Sequence, residues 1–406
     1  MTNFSERFFY VISREIFSWM PAKSILKLTS TSHHCLSFIQ EESFCKQQDR
    51  NMRSMDDCGI FIQGNASNYD KYMTKILALP NQNLCYMGVQ PQSMKFLRDH
   101  VQLITSSGGL FFGRTTVAQS PYVESFVILN PATGMIAKIP KPLGLLNYAT
   151  NMKVVFNYSD NGDLLLMIIM MENDDWISLD KCMVYSHEDR VWKEKSDRRH
   201  NLGGRSLCTE KHVFLDNCVY FLSDLSCYFG RESENYFPYI VSYNTNNEET
   251  RFFGLPKHSH KGRNHYTCRM NIFSWNKGKT MCLVKLRKGL FTIWVLKDIK
   301  KGDSWSWTQI LRKTLFEIGL QEHGISEVAD FKVINGKTLI VAMENNNVYS
   351  YNIVGDDDQE KNLTMIGNGH GCNSVNLMLY SYTNTLRRIP NGIPLIAFQE
   401  NLGFME

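Results

Sequence analysis

"FVILNPATGMIAKIP", Phe126 to Pro140, sets two apolar runs on either side of an Asn-Pro-Ala-Thr-Gly turn. Asn, Pro and Gly between β-rich runs read as a turn joining two strands. The same phrase recurs: a short β run with a large ring, a polar turn, then another β run. It returns in "MVYSHEDRVW" around Tyr185, "IVSYNTNNEE" around Tyr243, "TIWVLKDIKKGDSW" around Trp294, "VYSYNIVGDD" around Tyr351 and "LYSYTNTLRRI" around Tyr382. Apart from the last interval, the phrases lie fifty to sixty residues apart. A repeat near that period, with roughly four strands in each unit, marks a propeller blade. A single blade cannot bury both of its faces. A ring of blades buries each face on a neighbour, which accounts for apolar strands separated by polar turns. The expected fold is therefore mainly β: a β-propeller-like body of six or seven blades, preceded by a small unit of three helices.

Composition agrees with a folded chain. Of 406 residues, 43 % are hydrophobic and 21 % charged, which excludes a disordered protein. The net charge of +4 is thin over that length, whereas nucleic-acid binding calls for a concentrated basic stripe. The eleven cysteines are scattered without close pairs. The longest apolar run, "LLLMIIMM" from Leu164 to Met171, is too short to cross a bilayer and reads as a buried strand. The run Phe8 to Ile12 is too short for a signal-peptide core. The expectation is a soluble chain with reduced thiols, cytoplasmic or nuclear. In that setting the glycosylation-like triplets at Asn65 and Asn362 carry no meaning.

The first forty residues follow a different rule. Ile12, Ile16, Trp19 and Met20 recur at intervals of three and four, which predicts a helix over Phe8 to Met20. Pro21 stops it and suits the first turn of a second helix, Pro21 to Lys27, whose apolar side is Ile25, Leu26 and Leu28. Ser30 to Ser32 offers an N-cap for a third helix carrying Leu36, Phe38 and Ile39. Helices this short are marginal unless packed. Such a unit hides its apolar surface against a partner or against the rest of the chain.

The order helix, "MPAKSIL", helix, "STS", helix resembles the F-box motif, from about Phe8 to Phe44. Glu15, Ile16 and Phe17 stand where the family has Glu-Ile-Leu ahead of its Leu-Pro, here Met20 and Pro21. Lys23, Ser24, Ile25 and Leu26 match its Lys-Ser-Leu-Leu, and Phe38 and Ile39 match its closing Leu-Ile. Two departures stand out: Phe8 and Phe9 replace the opening Leu-Pro, and Cys35 replaces a tryptophan. The body resembles the F-box-associated, kelch-like domain of the large plant F-box families. "SGGLFFGR" (Ser107 to Arg114) resembles its Asn-Gly-Leu-Leu strand, "LNPATGMIAKIP" its Asn-Pro-x-Thr turn, and "IWVLKD" with "WSWTQI" its Trp-rich hairpin. The resemblance implies residues 1–48 as F-box, 49–58 as connector within the polar stretch 45–58, and 59–406 as the associated domain. It also implies a Skp-type adaptor as partner and through it a cullin. Ile16, Met20, Pro21, Ile25, Leu28, Phe38 and Ile39 are then the adaptor-binding anchors.

Candidate chemistry is sparse. "GNGHGCN", Gly367 to Asn373, lacks the Lys-Ser/Thr of a phosphate loop, and His370 and Cys372 have no partner pair at zinc spacing. "HSHKGRNH" (His258 to His265) and "KEKSDRRH" (Lys193 to His200) read as solvated loops, the former alternatively as a substrate-contacting loop. "DDWISLD" (Asp174 to Asp180) and "GDDD" (Gly355 to Asp358) supply carboxylates, but a glycosidase needs two that face each other across a cleft. The paired glycines at Gly108 and Gly203 are kelch-like, yet the Tyr and Trp that should follow are out of line. No catalytic residue, cofactor or metal is assigned. Two readings result. In one, the chain is the substrate-recognition subunit of a Skp–cullin–F-box ubiquitin ligase, holding an unidentified protein target. In the other, it is a β-propeller hydrolase whose N-terminal helices are only a brace.

Overall fold

A computed structural model describes residues 4–29, 33–54, 59–65, 72–80, 88–116, 123–142, 152–158, 163–171, 180–195, 200–203, 205–225, 236–257, 259, 268–276, 278–297, 305–320, 327–354, 363–369 and 377–402. Four helices come first: α1 (Phe4–Ser18), α2 (Ala22–Leu28), α3 (His33–Ile39) and α4 (Glu42–Ser54). Two strands, β1 (Gly59–Asn65) and β2 (Tyr72–Ala78), and the helix α5 (Pro91–His100) lead into the body.

Five blades then follow one another. Blade 1 is β3 (Val101–Ser107), β4 (Leu110–Thr116), β5 (Val123–Asn130) and β6 (Met135–Ile139). Blade 2 is β7 (Met152–Tyr158), β8 (Leu164–Met171), β9 (Asp180–Ser186) and β10 (Val191–Glu194). Blade 3 is β11 (Leu207–Leu215), β12 (Cys218–Ser223), β13 (Tyr239–Asn244) and β14 (Thr250–Gly254). Blade 4 is β15 (Cys268–Trp275), β16 (Thr280–Arg287), β17 (Leu290–Leu296) and β18 (Trp307–Thr314). Blade 5 is β19 (Val328–Ile334), β20 (Thr338–Met343), β21 (Asn347–Asn352) and β22 (Leu363–Asn368). The sixth is made from both ends of the body: β23 (Met378–Tyr382) pairs with β1, and β1 with β2. A last short strand, β24 (Ile393–Pro394), adds to the outer edge of β6, and α6 (Leu395–Leu402) follows.

The innermost strands β3, β7, β11, β15, β19 and β23 touch in sequence around the ring. The body is thus a six-bladed propeller, which resolves the expected six or seven. The sequence phrases explain themselves. Five of them are the turns between third and fourth strands of blades 1 to 5, but "LYSYTNTLRRI" is the innermost strand of blade 6 and the strap beyond it. That change of position shortens the last interval. The core lies between blades: Phe273, Phe291 and Phe331 pack blade 4 on blade 5, and Phe112, Phe126 and Phe156 pack blade 1 on blade 2.

The front of the chain holds four helices rather than three. The fourth takes up much of the stretch expected as a polar connector. Its polarity is real but one-sided: Phe44, Cys45, Gln48, Asp49 and Met52 are buried, at helical spacing. The buried polar pair Gln48 and Asp49 meets backbone and side-chain partners on the strap after β23, so the helix is part of the packed body. Several singled-out groups lie outside the described residues: His258, His260, His265, His370, Cys372, the carboxylates at 174–175 and 356–358, and Gly204.

Candidate docking surfaces

The helical unit is built around a small core of its own. Ala22, Ile25, Ile39, Phe44 and Cys45 pack with Ala132 and Leu386 of the propeller, and Met20, Leu26, Leu28 and Cys35 close over them. Burial pushes the Cys45 thiol up from its ordinary range. The α1 helix is pinned to α4 and the turn before it by polar contacts. Arg14 bonds to Glu41 at 2.8 Å and to Ser43 at 2.6 Å, Gln47 donates to Glu15 at 2.6 Å, and Asn51 donates to Ser18 at 2.7 Å. Tyr10 donates to Glu41, which holds that carboxyl below its usual range, with Arg14 adding to the effect.

This arrangement divides the seven expected anchors. Ile25 is fully buried and Ile39 nearly so, both inside the chain's own core, where they present no surface to another protein. Met20, Pro21 and Leu28 are half-buried at its edge. Ile16 is 57 % exposed. Phe38 falls within α3, but its side chain lies outside the described residues. Three residues not assigned as anchors join Ile16: Val11, Ile12 and Trp19 are 64 %, 40 % and 44 % exposed. Ile12, Ile16 and Trp19 sit four and three residues apart, so they line one stripe of α1. The sequence period marked this stripe as apolar; it did not say which way it turned.

The helices are fastened to the propeller by the strap 383–388. Gln48 accepts from the Leu386 amide at 3.0 Å and donates to the Asn384 carbonyl at 3.4 Å. Asp49 accepts from Thr385 at 3.1 Å and pairs with Arg387. Arg387 is 2 % exposed, and its guanidinium lies over the Tyr158 ring at 4.0 Å. On the other side the strap meets the opening phrase. Asn130 donates to the carbonyls of Thr385 and Arg387, at 3.0 and 2.9 Å, while its own oxygen accepts from the Ala132 amide at 3.0 Å. The Asn-Pro-Ala-Thr-Gly turn thus positions the strap as well as joining two strands. Gly134 closes it at φ +67°, a left-handed conformation that favours glycine.

A second surface lies at the propeller axis. A hollow of about 400 Å³ is lined from all six innermost strands, by Ser106, Asn157, His212, Ser274, Lys332 and Ser381 among others. Lys211 also lines it and pairs with Asp330, which accepts in addition from the Phe331 and Leu379 amides. The described lining holds no Asp or Glu, so it has no facing carboxylate pair. Asp180, the one described carboxylate of the "DDWISLD" stretch, is buried between blades 2 and 3 and paired with Lys153 at 3.5 Å. Nearby Cys182 is pushed up to about 12 by burial, which keeps it a thiol. Among the described residues no group of three or more His, Cys, Asp or Glu side chains is placed to hold a metal ion, and no helix is long and apolar enough to cross a membrane.

Comparison with solved structures returns distant matches. A protein from Lactobacillus plantarum is 12 % identical, covers 80 % of this chain and 100 % of its own, and superposes with a TM-score of 0.37. Aleuria aurantia lectin is 10 % identical over 75 % of this chain and 90 % of its own, at 0.39. The β-propeller domain of the trilobed protease from Pyrococcus furiosus is 9 % identical over 75 % and 78 %, at 0.35. No curated protein matches by sequence. The family model described as F-box associated beta propeller domain matches residues 63–366, from β1 to β22. On that match, which spans most of its length, the chain belongs to the F-box-associated β-propeller domain family.

Proposed function

We propose that this chain is the substrate-recognition subunit of a Skp–cullin–F-box ubiquitin ligase, with α1 to α4 as its F-box. The observation that carries the reading is the apolar stripe Ile12, Ile16 and Trp19, with Val11 exposed beside it, on a helical unit that is fastened to an F-box-associated propeller. The occupant of that stripe is a Skp-type adaptor, and through it a cullin. Burial of apolar area at roughly 25 cal/mol per Å² drives such a contact. Met20 and Leu28 are half-buried against the core that holds Ile25 and Ile39, and Pro21 is half-buried at the start of α2. The chain adds no catalytic group. It holds a protein target beside a ubiquitin-conjugating enzyme, and tethering supplies the rate. The target meets the propeller, in the cytoplasm or nucleus.

The test is co-purification with a Skp-type adaptor. The native chain retains it, and Ile12→Asp with Ile16→Asp abolishes retention with an unchanged melting temperature, because both side chains are exposed. An adaptor that never binds, or that binds the double variant equally well, sinks the proposal.

A further inference from the structure

At the seam between the outer strands of blades 3 and 4 lies a cleft of about 560 Å³, a size suited to a bound segment or small ligand. Its floor is aromatic. Phe253 and Trp305 stack at 3.7 Å with their planes 15° apart, and Trp307 stands edge-on to Trp305 at 6.0 Å. Trp294, buried, completes the floor. The walls carry Lys257 and Gln309, both exposed, and the described lining contains no Asp or Glu. Lys297 is exposed close by, its amide bonded to the Ser306 carbonyl at 2.8 Å.

One wall is strand β14, which contributes Phe252, Phe253 and Gly254. Among the described residues β14 pairs only with β13, so it is the open edge of its sheet. An open edge is a template for another strand. The molecule uses that template elsewhere. On blade 1 the short strand β24, an Ile-Pro pair, adds to the outer edge of β6, with Ile393 opposite Ile136 and Pro394 opposite Met135. There the fifth strand comes from the chain itself. On β14 the corresponding place stands beside an aromatic floor, and a Cβ built on Gly254 would meet nothing within 4 Å.

We propose that this cleft binds an extended, acidic, proline-containing peptide segment of another protein, added as a fifth strand to β14. Main-chain bonds to the open edge supply the register. The apolar and proline side chains of the segment stack on Trp305 and Trp307. Its carboxylates meet Lys257 and Lys297, in a site whose described lining holds no acidic residue. The inference is independent of adaptor binding, since α1 to α4 take no part in it.

The experiment uses the full chain and a fluorescein-labelled decapeptide in which a central Ile-Pro is flanked by alternating Ile and Glu. Binding is read by fluorescence polarisation and by the change in indole emission. The acidic peptide binds, and its counterpart with Lys in place of Glu binds at least tenfold more weakly. Methylating alternate backbone nitrogens of the acidic peptide abolishes binding, because strand addition needs those donors. Gly254→Trp fills the cleft and weakens binding at least tenfold. Lys257→Glu does the same and reverses the preference, so that the lysine peptide becomes the better ligand. That reversal separates a lost contact from a damaged fold. The proposal is overturned if the acidic peptide fails to bind, if N-methylation or both substitutions leave its affinity unchanged, or if a neutral oligosaccharide perturbs the indole emission while peptides do not.

Discussion

Blade 4 and blade 6 fill the same place in the ring by opposite means. Blade 4 is one continuous stretch, and its central hairpin closes through Lys288 and Gly289, both at positive φ, between paired Arg287 and Leu290. That is the two-residue turn whose twist matches the strands it joins. Every strand of the blade finds its neighbour next along the chain. Among the described residues blade 6 has three strands, and its inner one, β23, meets β1 from the far end of the sequence, with Phe61 opposite Tyr380. Local closure costs little entropy, whereas joining the ends of the body must be compensated by contacts that exist only after closure. Those contacts are Phe61 against Tyr382 and Phe111, Gln63 bridging to blade 1, and the Asp49–Arg387 pair tying α4 to the strap. The ring is therefore secured at its seam by buried polar bonds added to aromatic packing.

The largest expected effect is at Arg387. Replacing one member of a buried, bonded pair leaves the other charge unmatched, at a cost of about 3–5 kcal/mol. Arg387→Ala is expected to lower the urea midpoint by that equivalent, as is Asp49→Ala. The double variant is expected to lose less than the sum of the two. Arg312→Ala on the outer strand of blade 4 is the control. Arg312 is exposed, and its removal should stay within about 0.5 kcal/mol. If Arg387→Ala costs no more than Arg312→Ala, the seam is not held as described.

Next in size is Gln63. Its amide donates to Thr74 and to the Val101 carbonyl, both at 2.9 Å, and accepts from the Leu103 amide at 2.7 Å. One side chain thus joins β1 and β2 of blade 6 to β3 of blade 1. Gln63→Ala strands those buried groups, each at about 1–3 kcal/mol where water does not replace the partner. The loss should appear in the denaturation midpoint and as faster amide exchange at Leu103. Exchange in β16 and β17 should stay unchanged, because blade 4 does not depend on the seam.

How much of this was legible follows the same division. The blades were readable because their signals are local: apolar runs, Asn, Asp and Gly at turns, and a period of fifty to sixty residues. Blade 6 was not, because no local pattern says that Ile60 and Ser381 will face each other. The blade count stayed open for that reason, and "LYSYTNTLRRI" read as one more repeat. The helical unit was legible as apolar helices. Its outward face was not, since Ile16 and Ile25 look alike in sequence and end at 57 % and 0 % exposed. The polar stretch of α4 misled in a related way. Gln48 and Asp49 look solvated until the strap that buries them is in place.

The smallest expected effect lies where the strap leaves the seam for blade 2. Asn391 donates to the His187 carbonyl at 2.6 Å and accepts from Arg190 at 3.1 Å. The His187 imidazole stands edge-on to Tyr185 at 4.9 Å, and burial holds it below its ordinary value of 6.5. The sign follows from linkage. With the folded value depressed, the unfolded chain takes up the proton first as pH falls, so stability present above about 6.5 is lost on the way down to the folded value. His187→Asn removes that titration and keeps the backbone carbonyl that Asn391 uses. Urea midpoints measured at about pH 7.5, 6.5 and 5.5 should fall less steeply for the variant than for the native chain. Equal slopes would mean that the imidazole is solvated, and that the strap lies on blade 2 more loosely than it lies on α4.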